Sequence, residues 1–205
     1  MSNKKNINIG MYIVAYLFAI TLCTPAIADD KISTSESAIA VLIAKTNYEH
    51  PVRLLHPYLD YWHMKGPLAE KAAMQTLQQH FQNVNWCNHA NNAKVVLLLE
   101  PHIFYNPQLH VFHSEIIAKV YTPDNKSNHT AQAIVTIKKQ AQQLGELDAT
   151  PEFYLEKAYI KAMEEVVEAL DTNQDFLNSI KATGSKNAES ICPALDESPN
   201  SKLYY

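Results

Sequence analysis

Apolar and polar positions divide the chain into a small number of segments. Ser37–Thr46 (SAIAVLIAKT) is a short continuous apolar run whose length favours a buried strand, though its alanines allow a helix. From Gly66-Pro67 onward, Ala69, Ala73, Leu77 and Phe81 recur every four residues, opposite Glu70, Lys71, Gln75, Gln78, Gln79 and Gln82. This is an amphipathic helix ending near Phe81–Asn83. Proline suits its first turn, where the missing N–H would have no partner anyway. Lys94–Leu99 (KVVLLL) reads as a central strand apolar on both faces. Glu100-Pro101 is expected to break or bulge it, and Asn106-Pro107 to turn the chain. Leu109–Tyr121 predicts a second long strand, Pro123-Asp124-Asn125 a turn, and Ala131–Lys139 a third strand with Ala133, Val135 and Ile137 on one face. Thr150-Pro151-Glu152 opens the last long helix as cap, first position and first-turn acid. Its stripe is Leu155, Ala158, Tyr159, Ala162, Val166 and Leu170, and Phe176, Leu177 and Ile180 extend it after a break near Asp171–Asn173. Asn47–Lys65, rich in aromatic residues, histidine and proline, reads as an ordered loop with one short helical turn.

Strand, helix, three-strand meander and helix, in that order, predict an α+β fold. It would be an antiparallel-rich sheet of about four strands with two helices packed on one face. The opposite face is then solvated, covered by the Asn47–Lys65 loop, or used to bind something.

The start of the chain follows a different pattern. Met1–Lys5 is basic, Met11–Cys23 is apolar, Thr24-Pro25 ends the run, and Ala26-Ile27-Ala28 precedes Asp29-Asp30. Basic start, apolar middle and A-x-A end predict a secretory signal peptide cut after Ala28. The apolar run is about 13 residues, short of the roughly 20 that a spanning helix needs. Lipidation of Cys23 would call for a small residue before it, and Leu22 stands there. The expected organisation is therefore 1–28 signal peptide, 29–36 flexible lead-in, 37–182 a single α+β domain, and 183–205 a polar tail. The expected address is the periplasm or the exterior, with no transmembrane segment in the mature chain.

Composition narrows the partners. The chain carries a formal net charge of −4, and removal of Lys4 and Lys5 with the leader makes it more acidic. Without a lysine/arginine cluster it lacks the basic surface that nucleic acid requires. Cys87 and Cys192 survive cleavage, and in an oxidising compartment such a pair predicts a disulfide. That bond would staple the polar tail to the domain.

The search for catalytic chemistry is mostly negative. There is no Gly-x-Ser-x-Gly elbow and no glycine-rich phosphate loop: beyond the leader only Gly66, Gly145 and Gly184 occur, far apart. All nine histidines fall between His50 and His129. His110 and His113 are three apart on a strand and point to opposite faces. His102 and His110 would face each other if the hairpin were centred on Asn106, which would let zinc or copper bridge them. Otherwise no cofactor is expected. Glu100 or His113 as acid or base of a hydrolase acting on an envelope polymer is a further reading, but no partner group is evident and the enzyme question leans to no.

The succession of a helix, a short polar stretch, Ala93–Leu99, a long strand to Tyr121, the Asp124-Asn125 turn, another strand and a final helix over Ala158–Leu170 resembles small Gram-negative envelope accessory proteins. These are the transport-auxiliary and polysaccharide- or lipopolysaccharide-export lipoproteins. The resemblance is one of pattern, spans about Ser37 to Leu170 and carries no catalytic residues with it. Such proteins usually have a lipobox cysteine, and Cys23 does not sit in a good one. The leading expectation is a non-enzymatic periplasmic accessory protein that binds an envelope partner, or itself, through a sheet edge or open sheet face, because an edge strand offers free N–H and C=O groups for strand addition. Pro101 marks the first hairpin strand as an edge or bulged strand. Glu100, His102, Phe104 and Tyr105 are thus the expected contact residues, with Tyr61 and Trp62 from the aromatic loop.

Overall fold

The computed structural model describes residues 38–88, 93–123, 126–127, 130–148, 150–182 and 191–197. The expected leader, the lead-in, the Asp124-Asn125 turn and the tail at 183–190 and 198–205 lie outside them. The elements are β1 (Ala38–Leu42), α1 (Lys45–Tyr48), β2 (Pro51–Leu55), β3 (Asp60–Met64), α2 (Lys65–His80), β4 (Asn83–Trp86), β5 (Ala93–Asn106), β6 (Val111–Tyr121), β7 (Lys126–Ser127), β8 (Thr130–Ala131), β9 (Val135–Leu144), α3 (Pro151–Thr172), α4 (Gln174–Lys181) and α5 (Cys192–Asp196).

The main sheet has five strands in the order β4-β1-β5-β6-β9. β5, β6 and β9 form the antiparallel meander, while β1 runs parallel to both β4 and β5. The fold is thus mixed α and β with a mostly antiparallel sheet, and it has one strand more than expected. The extra strand, β4, is the short polar segment NVNW, of which Val84 alone is buried. β7 and β8 make a small ladder in the connection to β9.

Helices α2 and α3 cover one sheet face. The core between them holds Ile39, Val41, Val95, Leu97, Leu99, Ile103, Ile116, Ala118 and Val120 from the sheet, with Ala69, Ala72, Ala73 and Leu77 from α2 and Leu155, Tyr159, Met163 and Val166 from α3. The alanines let α2 lie close to the sheet. Proline stands in the first turn of α2 and at the first position of α3. Thr150, expected to cap α3, makes no side-chain cap bond. α4 is a separate helix because Asn173 restarts the chain: its side-chain oxygen accepts from Phe176 N at 3.0 Å.

The Asn47–Lys65 segment is not a loop. After one turn of helix it forms the antiparallel ribbon β2–β3, in register from Pro51 opposite Met64 to Leu55 opposite Asp60. Leu54 and His63 are buried and Val52 and Tyr61 half-buried on its inner face. Its outer face shows Leu55, Trp62 and Met64 to solvent, beside an Arg53–Asp60 ion pair at 2.8 Å. Apolar side chains stand on both faces, so the usual polar alternation of a half-buried strand is missing.

Gly66 fixes how this ribbon enters α2. A Cβ added there would come within 2.6 Å of Tyr48 Cα. Because that neighbour is backbone, it cannot swing aside. Gly66→Ala is expected to cost about 1–3 kcal/mol, the usual range for overpacking, read as a lower urea midpoint at unchanged slope.

On the other sheet face a second cluster joins Ala40, Ala44, Ala93, Val96, Leu98 and Tyr121 to Ile191 and Leu195. Cys87 and Cys192 are disulfide-bonded within it, with Cα atoms 6.0 Å apart. α5 is further tied by Lys45 N–H donating to Asp196 Oδ1 at 2.7 Å. This covers the half of the face nearest β1; among the described residues the half beyond Leu98 has no such cover.

Candidate functional site

The uncovered half-face is built by strand alternation. Three cross-strand rows lie side by side: Glu100–Ile117–Lys138, His102–Glu115–Gln140 and Phe104–His113–Gln142. Phe104 stacks on His113 with ring centroids 4.7 Å apart and stays 51% exposed. Glu115 pairs with Lys138 at 3.0 Å and accepts from the Gln140 amide. Glu100 is buried and accepts from Lys119 Nζ at 2.5 Å.

β5 is not broken at Glu100-Pro101. It stays paired with β6 from Val96 to Asn106. Its pairing with β1, however, ends at Leu98. Gly145 N–H donates to the His110 carbonyl and Ile134 N–H to the Val120 carbonyl, so even positions from His110 to Val120 address β9. By the register, even positions of β5 address β6. Odd positions, Leu99, Pro101, Ile103 and Tyr105, then point their backbone groups to the flank that β1 has left. Proline fits there because its missing N–H removes no bond from the β6 ladder. Among the described residues no strand pairs with that flank, although β5 is the middle strand of the sheet. Pro101 thus marks a half-edge, with β1 attached to the other half.

Beside the half-edge lies β2. A groove of about 810 Å³ is lined by Val52, Arg53 and Leu55 on one side, by His102, Phe104 and His113 on the other, and by Lys65. His102 is held below the ordinary histidine range, first by burial and then by the Lys65 charge, against the pull of Glu115 and Glu100. Burial pushes the Glu115 carboxyl up, but the Gln140 amide and Lys138 outweigh it and leave it below the usual carboxylate range. The groove therefore presents a neutral imidazole, a neutralised carboxylate and an exposed aromatic ring.

The residues expected to make contact separate into three places. Glu100, His102 and Phe104 lie on the open face. Tyr105 is in the core, only 1% exposed and packed against Phe112. Tyr61 is turned toward α3, where its hydroxyl donates to Glu152 Oε1 at 2.7 Å, while Trp62 faces outward on the ribbon. Lys65, Leu55 and Arg53 were missed. The signal for Lys65 was its position: a lysine between an apolar ribbon and Gly66-Pro67, where a helix begins.

His102 and His110 do not face each other. His102 is opposite Glu115, because the hairpin turn is Pro107–His110 and not centred on Asn106. Asn106 ends the strand and its Oδ1 accepts from Gln108 N and Leu109 N at 3.0 and 3.2 Å. His110 closes the turn with φ 52° and pairs through Nδ1 with Glu146 at 3.1 Å. Among the described residues no three His, Cys, Asp or Glu side chains converge as metal donors. His113 is occupied by its stack on Phe104.

No family model and no curated protein matches the chain. Among solved structures it is similar to a Xanthomonas campestris protein of family DUF330, at 11% identity over 63% of this chain and 79% of the other, with a TM-score of 0.39. It is also similar to a Caulobacter crescentus CB15 protein provisionally assigned as a lipoprotein, at 11% identity over 69% and 87%, with a TM-score of 0.32. Among the described residues no helix is long and apolar enough to cross a membrane.

Proposed function

We propose that this chain is an exported accessory protein of the bacterial envelope that acts by binding a partner protein in the groove between β2 and the open half-face. The observation that carries the reading is the groove itself: an exposed Phe104 on its wall and, beside it, a strand flank with no ladder partner among the described residues. Free N–H and C=O groups on a strand edge template the addition of an extended segment, and adjacent apolar pockets select its side chains. The leader over residues 1–28 and the Cys87–Cys192 bond support an oxidising, exported setting.

Site-specific photo-crosslinking in living cells tests this. A photoreactive phenylalanine analogue at Phe104 is expected to give a discrete protein adduct, and the same analogue at Phe153, equally exposed on α3, is expected to give none. No adduct at 104, or equal adducts at both positions, would sink the reading. An adduct containing only a second copy of this chain would replace an envelope partner with self-association.

A further inference from the structure

Lys65 is the first residue of α2 and is only 3% exposed. Its side chain lines the groove next to His102. Among the described residues, no oxygen or nitrogen acceptor stands within hydrogen-bond or ion-pair distance of its ammonium. Glu100 acts on it only through its longer-range charge and already accepts from Lys119. Arg53, on the near wall, is paired with Asp60. The Lys65 stem is buried, but its ammonium is not among the sealed polar atoms that lack a partner, so it opens into the groove rather than lying cut off from water. Burial still lowers its pKa, with Glu100 opposing. The start of α2 adds the positive end of a 16-residue helix at the same point, with no acidic residue in its first turn.

Accepting that the groove is the binding site, we infer that Lys65 receives the C-terminal carboxylate of an apolar peptide laid along the free flank of β5. Two features select this occupant. The lone ammonium calls for a single anionic group. Ile103, which lines the groove and whose backbone faces the flank that β1 has left, offers an N–H and a carbonyl in the spacing of a strand ladder, the pattern that a peptide main chain matches. Leu55, Val52 and Phe104 would take its apolar side chains.

Calorimetry on the full mature chain tests the assignment with three probes: acetyl-Val-Phe-Val-Phe with a free carboxylate, the same peptide as its C-terminal amide, and octanoate. The free-acid peptide is expected to bind at least tenfold more tightly than the amide, and Lys65→Met to abolish that difference. Equal binding of acid and amide, no binding of either, or octanoate binding better than the acid peptide would overturn the inference. Lys65→Met is also expected to melt no lower than the parent, because it removes a charge that burial disfavours and keeps the volume. A melting point lower by several degrees would instead make Lys65 a structural residue and overturn its role as a receptor; Lys65→Gln serves as a second variant in both measurements. If Lys65→Met leaves the Phe104 crosslink intact while acid and amide bind alike, the carboxylate assignment fails and the partner-binding groove stands.

Discussion

Replacing Cys87 and Cys192 by serine is expected to lower the free energy of unfolding by about 4.7 kcal/mol, the value chain entropy assigns to a closed loop of this length. The two cysteines are 105 residues apart in sequence. The bond therefore removes a large set of open conformations from the unfolded chain. It also holds α5, a helix of only five residues. Such a helix has little stability of its own and depends on its tertiary contacts. Those contacts are Ile191 and Leu195 against Val96, Leu98 and Tyr121, together with the Lys45–Asp196 bond. Urea unfolding of the wild type and the double serine variant would read the loss as a lower midpoint. A drop below about 1 kcal/mol would show that these contacts hold α5 without the covalent link. Amide exchange separates two routes to the loss. If α5 undocks before the rest unfolds, amides of β1 and of the Ala93–Leu98 half of β5 exchange faster in the variant while those of α3 do not.

The core was largely legible in the sequence. The periodicities of α2 and α3 and the apolar runs of β1 and β5 placed the same residues inward that the structure buries. What escaped follows from physical causes. β4 contributes one buried side chain, so it has no pattern of its own and exists because β1 offers it a parallel partner. The β2–β3 ribbon has apolar residues on both faces, and its two prolines suggested a loop, yet Pro51 only opens β2 and Pro57 lies in the turn. Pro101 misled in the other direction. It was expected to end or bulge a strand, but it sits on the flank that β1 no longer covers and interrupts nothing.

The site was legible only in part. Strand alternation places Glu100, His102 and Phe104 on one face whatever the neighbours are. Tyr105 is one position further along and so belongs to the other face, in the core. Pairing His102 with His110 depended on the centre of a turn. Asn106 sets that centre by accepting from residues beyond it, which no hydrophobic pattern reveals. Lys65 owes its burial to a ribbon that pattern reading had dissolved into a loop.

That ribbon also sets the expected response to acid. His63 lies on its inner face against α3, with Tyr159 Oη 3.4 Å from its Nε2. Burial lowers its pKa to about 4, with only partial opposition from the Glu152 charge. In the unfolded chain the same imidazole titrates near 6.5. Between these values the unfolded state binds the proton and the folded state does not, so stability rises with pH across that window and is level above it. Taken from neutral pH down to about 4, His63 alone is expected to remove about 3 kcal/mol. His50 and His102, also held low by burial, add to the loss with the same sign. Glu115 and Glu152, held low by their partners, extend it once carboxylates begin to protonate. Asp171, raised by burial, works the other way and is no match for them in number. His63→Gln keeps a polar group for Tyr159 and removes the titration. Urea unfolding at intervals from pH 7.5 to 4.5 should show the wild type losing stability faster than this variant below pH 6.5. Parallel curves would mean that His63 takes up its proton in the folded state, and that the ribbon opens far enough to hydrate it.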